Sequence, residues 1–394
     1  MCADIVVIGA GPVGLWTAIQ IKKRRPETDI QIYERYTEYK RSHVLKLEHR
    51  SMLFYAKNKT DIAEKQFFKE VTGSDFSKSF KMAALGKSHF IRTNDLEAAL
   101  KNYAAALGIQ TTYDKINSPE DIISRHPECP NFIGADGAHS KIRTAIMGQD
   151  AVNNFPLQYV VEIKYEAQGS PQELSLHEHY KTNKMLTHMA FEYVGREKNG
   201  ITPVSLRFFV DEETYKQLPE ASFKEPLKIN DSRIPESLKQ DIKSYLNVRR
   251  LKANESFKPN SEKMSKLTLS LYKAKKFATS KHAKNWFLVG DSAMGVPYFR
   301  SLNAGFIIGS QLAFILTRDI TPRNKIKLYN ACQPLDTAWE FTYAKGKDIG
   351  LQAYDSFRQV SAKLPWEFVK WGKKDKTQFK QKTHRAFWTK RPPK

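Results

Sequence analysis

The hydrophobic pattern at the start of the chain predicts a strand, a tight turn, a helix and a second strand. The apolar run Asp4-Ile5-Val6-Val7-Ile8 predicts a buried strand, and Leu15-Trp16-Thr17-Ala18-Ile19 continues as a helix. The run Asp29-Ile30-Gln31-Ile32-Tyr33 predicts a second strand that ends at Glu34. Apolar runs of this length are typical of strands covered on both faces, so the pattern indicates a parallel βαβ unit.

The turn between the first strand and the helix has the spacing Gly-x-Gly-x-x-Gly. It consists of Gly9, Ala10, Gly11, Pro12, Val13 and Gly14. Gly9 permits the tight turn, Gly11 lets a ligand approach the backbone, and Gly14 lets the helix lie close to the strand. The helix dipole and free N–H groups then favour a pyrophosphate, and Glu34 can accept ribose hydroxyls. This order of elements predicts dinucleotide binding.

The pattern then continues as alternating helices and strands. Residues 94–107 have apolar positions at helical spacing, with Asn94 placed to cap the helix and Gly108 to end it. Strands are predicted at 109–113 and 131–134, with a short helix between Ser118 and Pro130.

A different pattern begins near residue 151. Short alternating runs at 158–165, 185–194 and 204–210 predict an antiparallel sheet. A last buried strand, 285–289, runs into Gly290 and Asp291. We therefore expect a discontinuous nucleotide domain, residues 1–150 and 266–330, with a sheet domain inserted at 151–265. Residues 331–394 should form a C-terminal helical region.

The composition argues against a disulfide-rich, metal-binding or membrane-spanning protein. The chain has 394 residues and three separated cysteines, which do not form a disulfide framework or a zinc motif. The histidines also lack metal-ligand spacing, so no metal site is predicted. We find no signal peptide and no apolar run long enough to span a membrane, and therefore expect a soluble, cytoplasmic protein, although export by a route without a leader stays open.

Positive charge is concentrated at the C-terminal end. The formal net charge is +22, and residues 363–394 contribute eleven Lys or Arg against two acidic residues. Three of the six tryptophans, Trp366, Trp371 and Trp388, lie in the same segment. Such a segment suits an acidic protein or an anionic membrane surface, and a solvated chain end is the alternative. Nucleic acid is the least favoured partner.

Three further motifs resemble those of class A FAD-dependent monooxygenases of the p-hydroxybenzoate hydroxylase type. The stretch from Gly134 to Arg143, with Asp136 and Gly137, resembles their Asp-Gly motif, and Gly290-Asp291 resembles their Gly-Asp motif. Residues 296–306 are similar to the flavin-facing loop and helix of kynurenine 3-monooxygenase, and 35–47 to the MICAL monooxygenase domain. The resemblance implies an α/β fold: a Rossmann-like FAD-binding domain, an inserted antiparallel β-sheet substrate domain and C-terminal helices.

The resemblance also implies a set of cofactor-binding residues. Arg35 and Arg41 would contact phosphates of FAD or NAD(P)H, with a solvated surface charge as the alternative for Arg41. Arg92 would contact FAD, and Asp291 would hold the ribityl chain. A helix starting near Asn303 would stabilise negative charge on the flavin ring. The full cofactor-binding set is Gly9, Gly11, Pro12, Val13, Gly14, Glu34, Arg35, Arg41, Arg92, Asp136, Gly137, Gly290, Asp291, Pro297, Asn303, Ala304 and Gly305.

The chain departs from the family pattern in the flavin-facing loop. The family usually has a glycine-rich stretch between the proline and the asparagine, whereas Phe299-Arg300-Ser301-Leu302 stands here. Arg300 could lie against the pyrimidine end of the flavin and offset its negative charge. Arg300 and Pro297 are therefore the predicted catalytic residues.

The resemblance implies a monooxygenase that uses FAD, O₂ and NADPH or NADH. A C4a-hydroperoxyflavin would hydroxylate an aromatic or other small-molecule substrate, or oxidise an acidic protein surface. The alternative is a flavin-binding interaction protein with lost or altered oxygenase activity that docks to a partner or membrane through its basic tail. Flavin halogenase is less favoured, because the Trp-x-Trp-x-Ile-Pro element is missing from the sequence.

Overall fold

The computed structural model describes residues 3–37, 44–53, 62–72, 88–195, 197, 199–222, 225–297 and 300–362. These residues form two compact units. The first comprises the described residues up to Phe155 together with Leu271–Ala344, and the second comprises Pro156–Ser270 with the described residues from Lys345 onward. Their assignment to cofactor and substrate domains stays a prediction.

A six-stranded sheet forms the centre of the first unit. In spatial order its strands are β12 (Ala278–Lys281), β13 (Lys284–Leu288), β6 (Asn131–Gly134), β1 (Ile5–Ile8), β2 (Ile30–Glu34) and β5 (Gln110–Tyr113). All neighbours are parallel except the hairpin of β12 and β13. The strands predicted near residues 5, 30, 110, 131 and 285 are thus present, and β1 is fully buried, as its apolar run indicates.

Helices cover this sheet. They are α1 (Pro12–Arg24), α4 (Thr93–Ala106), α5 (Pro119–Arg125), α6 (Lys141–Met147) and α10 (Ser301–Leu316). A two-stranded antiparallel sheet of β3 (Val44–Glu48) and β4 (Ser88–Arg92) completes the unit. Between its strands in the sequence lie α2 (His49–Leu53) and α3 (Ile62–Thr72). The prediction of an Asn94 cap is wrong: β4 continues directly into α4, so the extended residue Arg92 is the N-cap. Gly108 follows the helix at φ +75°.

Helices α1 and α10 pack unusually closely, although they are far apart in the sequence. The indole N–H of Trp16 donates to the Phe306 carbonyl at 3.1 Å and to the Ser310 hydroxyl at 2.9 Å. A Cβ at Gly309 would lie 2.3 Å from Thr17 Oγ1. Glycine at this position therefore sets the separation of the two helices.

The second sheet is antiparallel. In spatial order its strands are β14 (Met294–Gly295), β11 (Lys263–Ala274), β7 (Val152–Gln168), β9 (Ile201–Val210) and β8 (Met189–Val194), and β10 (Ser256–Phe257) also pairs with β7. Every second residue of β9 is buried, which is the pattern of a strand with one face on a core. The strand predicted from residue 185 begins at Met189, because helix α7 (Leu176–Met185) precedes it.

Helices α8 (Glu212–Gln217) and α9 (Glu236–Lys252) complete the second unit's core. That core contains a buried ion cluster. The guanidinium of Arg249, at 0% exposure, contacts Glu192 at 2.5 Å and Glu255 at 2.5 Å. The Tyr165 hydroxyl donates to Glu255 at 2.7 Å.

The last described element is α11 (Pro322–Ala362), a helix of 41 residues. It begins nine residues before the predicted C-terminal region, and the basic segment 363–394 lies outside the described residues. Within the described ranges, no helix combines the length and apolar composition needed to cross a membrane.

Candidate functional site

The carboxyl ends of three parallel strands meet at one place in the first unit. Gly134 of β6 is in register with Ile8 of β1 on one side and with Leu288 of β13 on the other. Ala135 N–H donates to the Ile8 carbonyl at 2.8 Å, and Val289 N–H donates to the Gly134 carbonyl at 3.0 Å. The glycine-rich turn, the Asp-Gly motif and the Gly-Asp motif therefore converge, although nearly 300 residues separate the first from the last.

Two glycines of the first turn allow backbone segments to touch. Gly9 has φ +112°, and a Cβ there would lie 2.4 Å from the Ala135 carbonyl oxygen. A Cβ at Gly14 would lie 2.1 Å from the Gly9 carbonyl oxygen. Gly9 thus brings the ends of β1 and β6 together, and Gly14 holds α1 against its own turn.

Gly11 has a different environment. A Cβ at this position would meet no atom within 4 Å, so the space in front of it is open. Gly11 is the N-cap of α1 and has no side chain to cap the helix, and Pro12 follows at the first helical position. The first N–H groups of α1 have no partner within the helix, and the space beside Gly11 is open, as at helix N-termini that bind phosphate groups.

Glu34 closes one side of this turn. Its Oε2 accepts a hydrogen bond from Ala10 N–H at 2.8 Å, and its Oε1 accepts one from Tyr36 N–H at 3.1 Å. Each carboxylate oxygen has a second lone pair, so the group can also accept from a ribose hydroxyl.

The three predicted arginines do not share one environment. Arg35 is exposed and lies over the Tyr36 ring, with 4.6 Å from its guanidinium carbon to the ring centroid. Arg92 is exposed at the start of α4. Arg41 lies outside the described residues.

Asp136 has a structural role. Its Oδ1 accepts from the Ser140 hydroxyl at 2.5 Å, and its Oδ2 accepts from Ile142 N–H at 3.2 Å. Ser140 in turn caps α6 through Arg143 N–H. The carboxylate therefore fixes the turn between β6 and α6, while Gly137, at φ +89°, has open space beside it.

The Gly-Asp motif is anchored through its backbone. Gly290 has φ +60°, and the buried Ser292 hydroxyl donates to the carbonyl oxygens of Gly134 and Val289. The Asp291 carbonyl accepts from the Tyr272 hydroxyl at 2.8 Å. Burial and the charge of Asp291 raise the pKa of Tyr272, so this phenol stays a donor at neutral pH.

Arg143 ties two of the motifs together, a role that the sequence did not reveal. Its guanidinium donates to the Ser292 carbonyl at 2.8 Å and to the Ala138 carbonyl at 2.9 Å. It also lies over the Tyr272 ring at 5.9 Å. An arginine inside a predicted motif was the only available signal, because Ser292 is 149 residues away in the sequence.

Val13 and Gly305 form a packing contact between helices. A Cβ at Gly305 would lie 2.6 Å from Val13 Cγ2, and one at Gly290 would lie 3.1 Å from Val13 Cβ. The Val13 side chain therefore fills the space left by both glycines. Ala304 is buried at the same end of α10.

The side-chain amide of Asn303 forms hydrogen bonds with β3 and α2. Its Oδ1 accepts from Glu48 N–H at 2.8 Å and from the Ser51 hydroxyl at 2.9 Å, and its Nδ2 donates to the Lys46 carbonyl at 2.7 Å. Helix α10 begins at Ser301, two residues earlier than predicted. Asn303 thus joins α10 to β3 and α2, and the open N–H groups of the helix belong to its first turn.

Arg300 pairs with two acidic side chains of the protein. Its Nε donates to Glu340 at 2.5 Å, its Nη2 to the second Glu340 oxygen at 2.7 Å, and its Nη1 to Glu48 at 3.4 Å. Burial would lower the pKa of Arg300, but the two carboxylates raise it above its usual value. The two carboxylates hold this guanidinium at the N-cap of α10, and the catalytic role of Arg300 stays a prediction. Pro297 is half-buried beside this helix start.

No protein-family model and no curated protein matches the sequence. Solved structures with the same fold do match. A variant of 2-methyl-3-hydroxypyridine-5-carboxylic acid oxygenase has a TM-score of 0.54 and 13% identity, covering 91% of this chain and 93% of its own. CabE, an aromatic hydroxylase from angucycline biosynthesis, has a TM-score of 0.54 and 14% identity, covering 92% and 75%.

A third similar structure is CtdE in complex with FAD and a substrate, with a TM-score of 0.54 and 13% identity, covering 92% of this chain and 91% of its own. These similarities confirm, at the level of the fold, the resemblance that the motifs indicate. The chain has a mixed α/β fold, with a parallel sheet and a separate antiparallel sheet, that is similar to the folds of these three proteins.

Proposed function

We propose that the first unit binds FAD and that the protein is a monooxygenase acting on a small aromatic substrate. The observation that carries this proposal is the open space at Gly11, in front of the uncapped N-terminus of α1, where three strand ends converge. Solved oxygenases and hydroxylases with this fold support the same function.

The first unit offers chemical partners for three parts of FAD. The N–H groups that follow Gly11 would hold the pyrophosphate, Glu34 the ribose and Asp291 the ribityl chain. Arg35 and Arg41 would bind phosphates of FAD or of the nicotinamide cofactor, and Arg92 would contact FAD. When bound, FAD would supply the redox chemistry, with NADPH or NADH as reductant and O₂ as the source of the inserted oxygen.

An FAD titration tests the cofactor. We expect the purified full chain to bind FAD with a flavin absorption band, and G11A to weaken FAD binding about tenfold or more, since its Cβ enters the proposed pyrophosphate space. G346A is the matched control, because Gly346 also has open space around it but lies on α11. Wild-type protein that binds no FAD would overturn the proposal.

Turnover tests the reaction class. We expect NADPH or NADH to bleach the flavin without oxygen, and oxygen to restore the colour with consumption of the nicotinamide cofactor. An aromatic compound that accelerates this consumption and gains a hydroxyl group, detected by mass spectrometry, would identify the substrate. Bound FAD that neither nucleotide can reduce would contradict the monooxygenase assignment.

A further inference from the structure

Another cleft lies at the β12 edge of the first unit's sheet, between strand β12 and the first turns of α11. Its volume is about 520 Å³, the size of many small-molecule sites. It is lined by Lys276, Ala278, Thr279, Ser280, Asn285, Pro322, Arg323, Ile326, Lys327 and Asn330. None of the residues converging at the glycine-rich turn lines it.

The charge of this cleft is entirely positive. Lys276, Arg323 and Lys327 line it, and no lining residue is acidic. All three cations are exposed, and none forms an ion pair with another described residue. Arg323 and Lys327 are four residues apart and so lie on the same side of α11. Three uncompensated cations around one concave space favour a multiply charged anion.

Strand β12 adds neutral donors to the cleft. Asn285 N–H donates to the Pro130 carbonyl, away from β12, so the Ser280–Asn285 pair is a non-hydrogen-bonded pair of the hairpin. The backbone N–H of Ser280 therefore points out of the sheet edge, toward the side where α11 lies. The hydroxyls of Thr279 and Ser280 line the same space, and neither bonds to another described residue.

Asn330 holds the two walls in place. Its Oδ1 accepts from the N–H groups of Phe277 and Ala278 at 2.8 and 3.0 Å, and its Nδ2 donates to the Ala278 carbonyl at 2.9 Å. The first turns of α11 are thereby fixed against β12. The backbone segments that carry the cations and the hydroxyl donors are consequently fixed against each other before any ligand arrives, which lowers the entropic cost of binding.

We propose that this cleft is a binding site for a phosphate-bearing small molecule. Cations and short hydroxyl or N–H donors are the groups that bind phosphate oxygens. An acidic peptide that pairs with the edge of β12 as an extra strand fits this cleft less well. Asn330 already bonds to the Ala278 backbone groups, so only those of Ser280 are open on this short strand. The site does not depend on FAD binding.

Calorimetric titration with inorganic pyrophosphate tests the site. The full chain is titrated with and without excess FAD, so that pyrophosphate bound at the glycine-rich turn is displaced. We expect binding that persists with FAD, with a Kd below about 1 mM at low salt. R323E/K327E should weaken it at least about tenfold, and T279A/S280A, which leaves the charge unchanged, about threefold or more.

The control is K65E/K69E, a pair of exposed lysines with the same spacing on α3 and the same change in charge. It should leave the affinity within about twofold of wild type. Absence of pyrophosphate binding, or equal weakening by both charge-reversal pairs, would overturn the proposal. Binding to vesicles that contain phosphatidic acid, without binding to pyrophosphate, would also overturn the proposal of a small-molecule site. Melting temperatures of all variants show that each is folded.

Discussion

Several polar side chains around the converging strand ends bond to the protein's own backbone. Asp136 and Asn303 accept from nearby N–H groups, and Arg143 donates to two loop carbonyls. Buried polar groups cost free energy unless they are paired, so these bonds hold the loops in one conformation. Side-chain chemistry here positions the backbone, and the backbone N–H groups at Gly11 are the part open to a ligand.

The two ion pairs of Arg300, with Glu340 and with Glu48, should contribute unequally to the free energy of unfolding. E340Q removes the charge that pairs with two nitrogens of a guanidinium whose side chain is 9% exposed, and we expect a loss of about 2–3 kcal/mol in the free energy of unfolding. E48Q removes the longer contact of 3.4 Å, and Glu48 also pairs with Arg50 at the surface, so its cost should stay below about 1 kcal/mol. Urea unfolding measures both, and equal losses would contradict this account.

At the scale of elements, the contact between α1 and α10 depends on small residues. The Gly305 and Gly309 positions face Val13 and Thr17, and neither has room for a methyl group without movement. Helices that approach this closely gain backbone and side-chain contacts that larger residues would prevent. A sequence of two glycines four residues apart does not by itself identify the partner helix.

Thr17 and Gly309 should behave as a coupled pair. The methyl group of G309A would lie 2.3 Å from Thr17 Oγ1, so we expect a loss of about 2 kcal/mol or more. T17A/G309A should recover most of that loss, whereas T17S/G309A, which keeps the oxygen, should not. G346A provides the exposed-helix control and should be neutral or stabilising. Thermal unfolding of the five variants, with T17A included, gives the coupling energy.

The sequence predicted the elements whose signals are local and missed the contacts that join distant segments. The apolar run before Gly9, the short helix after Ser118 and the strand at 131–134 need only neighbouring residues to be recognised. The bond from Arg143 to Ser292 and the ion pair of Arg300 with Glu340 depend on the folded chain. In the sequence, Arg249 likewise resembles a surface charge, although it is fully buried with Glu192.

At the scale of the whole molecule, the positive charge is divided between the described body and the C-terminal segment. Residues 363–394 carry a net charge of +9, from eleven Lys or Arg and two acidic residues, of the total of +22. We propose, from this composition, that the segment binds an anionic membrane surface or an acidic protein. No residue of the proposed FAD site lies in it.

Truncation after Ala362 tests whether membrane binding and FAD binding depend on different parts of the chain. The shortened protein should keep its FAD affinity within about twofold. It should lose most of its binding to vesicles that contain phosphatidylserine, and the full chain's binding should weaken steeply with added salt. Vesicle sedimentation at two salt concentrations measures this. Vesicle binding that is unchanged by the truncation would place the interaction elsewhere.

The hydrogen bonds from Trp16 to Phe306 and Ser310 join residues that are 290 and 294 positions apart. During synthesis on the ribosome, α1 is complete long before α10 has been made. At the usual elongation rate of about 5–20 residues per second, α1 must wait on the order of 15–60 seconds for its partner. The part of α1 that contacts α10 stays uncovered throughout that interval, so maturation of this protein should be sensitive to the supply of chaperones acting on nascent chains.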